Sequence, residues 1–325
     1  MGLKRALLAA GIILVAFAAS AAGRDTRPDG ARVELGRRLF YDADLSINGT
    51  MSCATCHEQK HAFTDTNSTR PGATGEPGRR NIMALANVAA FNSLTWADPR
   101  QTTLEGQVSV PVFGEHPVEM GMDGKEAEIT RRLSADKCYR AMFADAFGGP
   151  VAITMPRIAA ALAAFERTLI SRSAPYDAYL KGEGALSPAA SRGEGLFNRH
   201  GCASCHAGAL FTDAADVGRK AEAAFHDIGA PRGLDVGLAE ITREPKDAYR
   251  FRTPSLRNIA LTGPYLHDGS AANLPLAIAA HRFLDEPVAA QEMPDLIAFL
   301  EALTDQAFIR DERFALPERH CGKKV

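Results

Sequence analysis

Cys53-Ala54-Thr55-Cys56-His57 and Cys202-Ala203-Ser204-Cys205-His206 are two copies of one pattern, C-x-x-C-H, and the fold is read outward from them. With six cysteines and nine histidines in 325 residues, chance supplies roughly 0.003 such matches, so the pair is not an accident. Residues i and i+3 share one face of a helical turn, which lets both thiols reach the two vinyl groups of a single haem. The adjacent histidine then projects toward the iron as a proximal ligand. A zinc site made from two C-x-x-C pairs would hold them ~15–20 residues apart, whereas Cys56 and Cys202 are 146 apart. A thioredoxin-type motif would be single and set in a βαβ pattern, which this chain lacks. Each motif therefore reads as the attachment site of one covalent haem c.

The surroundings repeat in the same order. Gly36-Arg37-Arg38-Leu39-Phe40 precedes the first motif and Gly193-Glu194-Gly195-Leu196-Phe197 the second; Phe63-Thr64-Asp65 and Phe211-Thr212-Asp213 follow them. Two related modules are implied, each a helix leading into C-x-x-C-H and then a loop. Ile158 to Leu169 is Ala-rich and apolar throughout, as a buried helix is. Ser187-Pro188 reads as an N-cap with proline at the first helical position. Gln291 to Leu303 places Leu296, Phe299, Leu300 and Leu303 at helical spacing, and no long alternating β pattern occurs. The expected fold is mainly α, two cytochrome c-like (class I) domains with one haem each. Residues 30–172 form the N-terminal domain, 173–187 (with Pro175 and Gly182 to Gly184) the linker, and 188–320 the C-terminal domain.

Lys4 and Arg5 precede an apolar run from Ala6 to Ala19, and Ala19-Ser20-Ala21 offers a small-residue cleavage site. That pattern is a secretory signal peptide, 1–21. The run is about 14 residues, short of the ~20 that span a bilayer, so the expectation is an exported, periplasmic protein with no membrane association after signal removal. Hydrophobic residues are 46% and charged residues 23%, a globular balance that excludes a disordered, collagenous or multi-spanning chain. Net charge is −2, so there is no basic excess for nucleic acid. Cys138 and Cys321 lie outside the motifs, and in an exported protein they stand either as a disulfide or as two free thiols.

Two such modules in one exported chain resemble the bacterial diheme cytochrome c peroxidase family, including its MauG-like branch. The resemblance covers most of residues 32–305. Its motifs are L-G-x-x-L-F-x-D at Leu35 to Asp42, Arg80-Asn81, Pro117-Val118-Glu119-Met120-Gly121, Phe251-Arg252-Thr253-Pro254-Ser255-Leu256-Arg257-Asn258, and Pro264-Tyr265-Leu266-His267-Asp268-Gly269. The resemblance implies two haem c cofactors. The N-terminal haem meets hydrogen peroxide and the C-terminal haem transfers electrons. The electron source is a periplasmic donor, either a small cytochrome or a copper protein; in the MauG-like branch a protein substrate is oxidised instead. The contrasting expectation, a diheme electron-transfer cytochrome without peroxidase chemistry, requires both irons to be closed.

Residue by residue, the resemblance makes His57 the proximal ligand of the first haem. Peroxidases of the family bring a histidine to the opposite face from the following loop, but no histidine lies between Asp65 and Arg100. That departure implies a permanently open iron, as in the MauG-like branch. His61, four residues after His57, cannot swing to that face and reads as structural. Glu119 matches the family's acid–base glutamate and Gln107 its peroxide-orienting glutamine, with two extra residues between them. For the second haem, Cys202, Cys205 and His206 attach and ligate. The family's second-ligand position falls on His281, which shares a helical face with Leu274, Ala277 and Ile278; Met293 and Tyr265 are the rivals. Trp96 falls where MauG-like proteins keep an inter-haem tryptophan. Asn81 and the carbonyls of Arg252 and Pro254 resemble a calcium site between the domains, oxygen donors suiting a hard cation. The pattern of a second histidine ligand, a missing loop histidine and a C-terminal Cys-Gly-Lys resembles the MbnH-like subgroup, which oxidises a tryptophan on a copper-binding partner.

Overall fold

In chain order the helices are α1 (Gly30–Phe40), α2 (Cys53–Cys56), α3 (Leu104–Gln107), α4 (Ser109–Phe113), α5 (Glu126–Ala135), α6 (Lys137–Phe147), α7 (Met155–Glu166), α8 (Pro175–Leu180), α9 (Pro188–Arg199), α10 (Ala239–Thr242), α11 (Leu274–Ala279) and α12 (Met293–Glu301). They come from a computed structural model that describes residues 30–216, 218–282, 286–320 and 323–324. The expected signal peptide and Cys321 lie outside these residues. Strands among them are limited to two antiparallel ladders, β1 (Phe225–His226) with β2 (Phe251–Arg252) and β3 (Arg319–His320) with β4 (Lys323–Lys324). The chain is thus mainly helical, as its patterning implies. No helix among the described residues is long and apolar enough to cross a membrane.

Two helix crossings organise the chain, and the glycine of each repeated G-x-x-L-F motif permits one of them. α1 packs on α7 and α9 packs on α12. A Cβ on Gly36 would stand 1.8 Å from the Ala161 carbonyl oxygen, and one on Gly193 would stand 2.0 Å from that of Asp295. Only glycine lets two helix backbones approach so closely. The Leu-Phe that follows each glycine is buried: Leu39 and Phe40 against α7, Leu196 and Phe197 against α12. α7 is buried along most of its length, Ala159, Ala161, Ala163 and Ala164 keeping it slim enough to lie inside the core. α9 begins as its sequence predicts. Ser187 accepts a hydrogen bond from the Ala190 N–H at 3.1 Å, and Pro188 fills the first turn, where a backbone N–H has no helical partner.

Each crossing carries its own apolar core. The first gathers Phe40, Phe63 and Phe165; the second gathers Phe197, Phe211 and Phe299. Burying each ring contributes roughly 1.5–3 kcal/mol. The expected linker, 173–187, carries α8, whose Asp177 forms a buried ion pair with Arg257 at 2.6 Å. After α12 the chain returns to the first core, where Phe308 and Phe314 pack on Phe63. Cys138, on α6, is disulfide-bonded.

A buried polar knot joins the two cores. Asn258 donates to the Ser171 hydroxyl at 3.0 Å and accepts from the Asp305 N–H at 2.8 Å. Ser171 donates to the Asp305 carboxylate at 3.2 Å, and Asn87 brackets the Ser171 backbone with two 3.0 Å bonds. Each member is satisfied, which is the condition for such a network to stabilise and to fix one arrangement.

Candidate functional site

The two C-x-x-C-H segments fold alike because their loops repeat. In the first, Cys53 to Cys56 make one helical turn; in the second, Cys202 to Ser204 make a tighter 3-10 turn. Phe63 and Phe211 both take left-handed backbone, φ 64° and 51°. That twist turns each phenylalanine carbonyl back onto the motif histidine. The Nδ1–H of His57 donates to the Phe63 carbonyl at 2.7 Å, and that of His206 donates to the Phe211 carbonyl at 3.1 Å. A carbonyl only accepts, so Nδ1 carries the proton and Nε2 is the metal-binding nitrogen. The next residues brace the loop. Thr64 and Thr212 donate to the carbonyls of Ile82 and Thr253; Asp65 and Asp213 pair with Arg70 at 2.6 Å and His226 at 2.7 Å. The repeated F-T-D is therefore the brace of the histidine ligand.

In the second centre one cavity is walled by Cys202, Cys205, His206 and His281, with Leu274, Ile278 and Leu300 around them. His281 stands just after α11, two residues past its last helical position, and still points inward. Its Nδ1–H donates to the Ala277 carbonyl at 2.8 Å, the same device that fixes His57 and His206. The rings of His206 and His281 face each other with centroids 6.5 Å apart. Two imidazoles that ligate one metal from opposite sides, each nitrogen about 2 Å from it, have centroids roughly 6 Å apart. Burial pushes His206 down to about 4, helped by the facing His281, and burial also lowers His281; both imidazoles stay neutral and able to ligate. Tyr265 lines the same cavity, but its hydroxyl donates to the Ile259 carbonyl at 3.0 Å. Met293 is not among the cavity's described walls.

Arg252 adds an independent sign of what the cavity holds. Its side chain is buried against the cavity, stacked on Phe91 at 5.1 Å, and its Nε has no hydrogen-bond partner. Burial lowers the guanidinium to about 10, so it remains a cation at neutral pH. A buried cation with an unfilled donor fits a ligand with an anionic edge, and the carboxylates of a haem provide one. Two thiols, two neutral imidazoles and this arginine together suit a haem c.

The first centre differs. Cys53, Cys56 and His57 repeat the attachment set, but among the described residues no second imidazole faces His57. Burial lowers His57, the Phe63 and Met83 carbonyls acting in the opposite direction. Glu119 is brought here by a loop whose Met120 and Met122 N–H groups bond the Pro111 and Val112 carbonyls of α4 at 2.9 and 3.0 Å. Its charge is felt at both Cys53 and Cys56, and burial raises its own carboxyl above the ordinary range. Glu166 on α7 is buried too, pushed up to about 8 by desolvation, and acts on Cys53. Gln107 ends α3, half-buried; no hydrogen bond among the described residues joins its side chain to Glu119. His61 sits in the 3-10 turn Gln59–His61 directly after the motif.

Trp96 lies at the wall of the second cavity, its indole N–H donating to the Asn81 carbonyl at 2.8 Å and its own carbonyl accepting from the Arg252 N–H at 2.9 Å. Asn81, Arg252 and Pro254, the expected calcium ligands, share that wall. The Asn81 side-chain N–H groups point to the Asn67 and Ser68 carbonyls. No group of three or more His, Cys, Asp or Glu that could hold a metal ion occurs among the described residues. A hard cation favours carboxylate ligands, and this set offers neutral oxygens alone. Sequence reasoning missed the Arg252 side chain, valued there for its carbonyl alone, and His226, which pairs with buried Asp213 at 2.7 Å. His267, quoted there only as part of a motif, stacks on Phe251 at 3.7 Å.

Comparison with known proteins shows the family. Residues 30–185 match the family model described as di-haem cytochrome c peroxidase. The chain is 35% identical to the methylamine utilization protein MauG of Methylorubrum extorquens, over 84% of this chain and 78% of that one. It is 32% identical to the cytochrome c peroxidase Ccp of Escherichia coli, over 85% of this chain and 58% of the relative. Among solved structures, a MauG-like protein associated with microbial copper homeostasis superposes with a TM-score of 0.84 at 39% identity, covering 89% of this chain and 94% of that one.

Proposed function

Because the chain belongs to the di-haem cytochrome c peroxidase family, whose members are peroxide-dependent oxidoreductases, we propose that it works in the periplasm through two unequal haem centres. Cys53, Cys56 and His57 hold the first, in a domain spanning 30–172. Cys202, Cys205, His206 and His281 hold the second, in a cytochrome c-like domain spanning 188–320. When bound, the haems supply the redox chemistry: an open iron for hydrogen peroxide at the first centre, and storage of oxidising equivalents across both. The asymmetry between the motifs supports this reading, since His206 faces His281 at 6.5 Å whereas among the described residues no imidazole faces His57.

The side chains then have separable tasks. Peroxide cleavage requires a proton to leave one oxygen and arrive at the other. Glu119 performs that transfer: burial raises its pKa, which keeps the protonated and ionised forms closer in energy near neutral pH than in an exposed carboxyl. Gln107 orients peroxide through its amide. The carbonyls of Phe63, Phe211 and Ala277 fix the tautomer of each ligating histidine and make Nε2 more basic. Trp96, locked by Asn81 beside the second cavity, relays electrons between the centres. The final donor is a protein. The copper-homeostasis association of the MauG-like relative, together with His281 as ligand, favours oxidation of a residue on a copper-binding partner, the MbnH-like role, over electron supply by a small cytochrome.

Glu119→Gln tests the proton step. Both haems should remain attached, and the stopped-flow rate with peroxide should fall ~10²–10⁴-fold, the usual worth of general acid–base help. A rate within a few-fold of the unaltered protein removes Glu119 from the mechanism.

A further inference from the structure

A second cavity shares His206 with the first, and His281 is not among its lining residues. Its floor is Ala203, His206 and Phe211, its wall is Tyr176 and Glu194, and exposed Leu180 stands at its mouth. From its lining residues Phe211 and Tyr176 an unbroken run of aromatic rings leads to the surface. Phe211, whose carbonyl holds the His206 Nδ1–H, packs edge-on against Tyr176 with centroids 5.6 Å apart; Tyr176 packs on Tyr179 at 5.9 Å; and Tyr179 is 39% exposed.

Within that run Tyr176 is distinguished by its proton partner. A phenol that loses an electron becomes a very strong acid, so its oxidation at an accessible potential needs a base already hydrogen-bonded to it. The Tyr176 hydroxyl donates to the Glu194 carboxylate at 2.7 Å. Tyr41 and Tyr265 donate instead to the carbonyls of Phe314 and Ile259, which cannot take a proton. Tyr139 has a carboxylate partner in Asp42, but it belongs to the first core, and its ring contacts run to Phe143 and Phe147 rather than to the His206 centre. Burial and Glu194 push the Tyr176 phenol up, so it rests protonated.

We propose that Tyr176, with Glu194 as its proton acceptor, is a redox-active station that carries oxidising equivalents from the His206 centre to the protein surface at Tyr179. The step balances as follows. Tyr176 gives one electron to the peroxide-oxidised haem pair, and its hydroxyl proton passes to the Glu194 carboxylate. The resulting neutral phenoxyl takes one electron from a donor at the surface, through Tyr179, while Glu194 returns the proton. Two such passages discharge the two equivalents of one peroxide. This rests on the function proposed above, because that chemistry supplies the oxidant.

The test uses the full protein with both haems attached, mixed with hydrogen peroxide, freeze-quenched and read by electron paramagnetic resonance, with haem absorption recorded in parallel. The unaltered protein should give an organic radical whose hyperfine pattern changes when tyrosine is ring-deuterated. Tyr176→Phe should abolish that signal, and Tyr139→Phe should leave it. Glu194→Gln, which keeps the hydrogen bond but accepts no proton, should lower its yield about tenfold or more. A tyrosyl signal that survives Tyr176→Phe, or haem absorption that responds to peroxide with no tyrosyl signal at all, overturns the relay and leaves the proposed function standing. Haem absorption that does not respond to peroxide overturns both.

Discussion

Gly193→Ala and Gly195→Ala place the same methyl group two residues apart on α9, and the structure gives them opposite signs. At Gly193 the new Cβ would meet the Asp295 carbonyl oxygen at 2.0 Å, its carbon at 2.7 Å and the Phe299 Cβ at 2.8 Å. Two of these are backbone atoms of α12, so no rotamer change relieves the clash; the helices must part by more than an ångström. Overpacking of this kind costs about 1–3 kcal/mol or more, against about 1 kcal/mol gained from alanine's helix propensity, so the clash wins. At Gly195 nothing lies within 4 Å of the new Cβ, and only the propensity gain of about 1 kcal/mol remains. In thermal unfolding of the holoprotein, each kcal/mol should move the midpoint by about 2–4 °C. Gly195→Ala should raise the midpoint and Gly193→Ala lower it, with the His206 centre losing its spectrum first. Equal midpoints, or a rise in both, would falsify the close crossing of α9 and α12.

The haem centres give two further predictions. His281→Ala should convert the low-spin ferric signal of the second centre to high-spin and leave the first unchanged. Survival of the low-spin signal would mean another residue ligates, and Tyr265, which lines the same cavity, would be the next to test. Replacing Cys202 and Cys205 together should remove one covalent haem by mass spectrometry and leave one; retention of two would refute separate attachment.

The attachment motifs and the helical class were legible because both are local. A C-x-x-C-H needs one turn of helix, the Ser187-Pro188 cap marks the start of α9, and 3.6-residue periodicity marks α12. The purpose of the flanking repeats was not legible, because it lies in contacts across the chain. G-x-x-L-F reads as a helix end, yet its glycine is there for Ala161 or Asp295 more than a hundred residues away. F-T-D reads as a loop, yet its phenylalanine acts through a carbonyl set by left-handed backbone. The segment Phe251 to Asn258 was visible as a motif, but its parts serve four tasks: Phe251 stacks on His267, Arg252 faces the cavity, Arg257 pairs with Asp177 and Asn258 ties the cores. The span 173–187 looked like a linker from its proline and glycines, but burial of Asp177 against Arg257 holds α8 in place. His281 is read from register; α11 stops at Ala279, and the turn beyond it still aims the ring into the cavity.

The central claim is that one centre is open and the other closed by His281. It is tested most directly by electron paramagnetic resonance of the ferric protein as isolated, followed by one equivalent of hydrogen peroxide in a stopped-flow spectrometer. The geometry predicts one high-spin and one low-spin haem, with an immediate absorption change that needs no prior reduction. Two low-spin haems, with no response to peroxide, would contradict it.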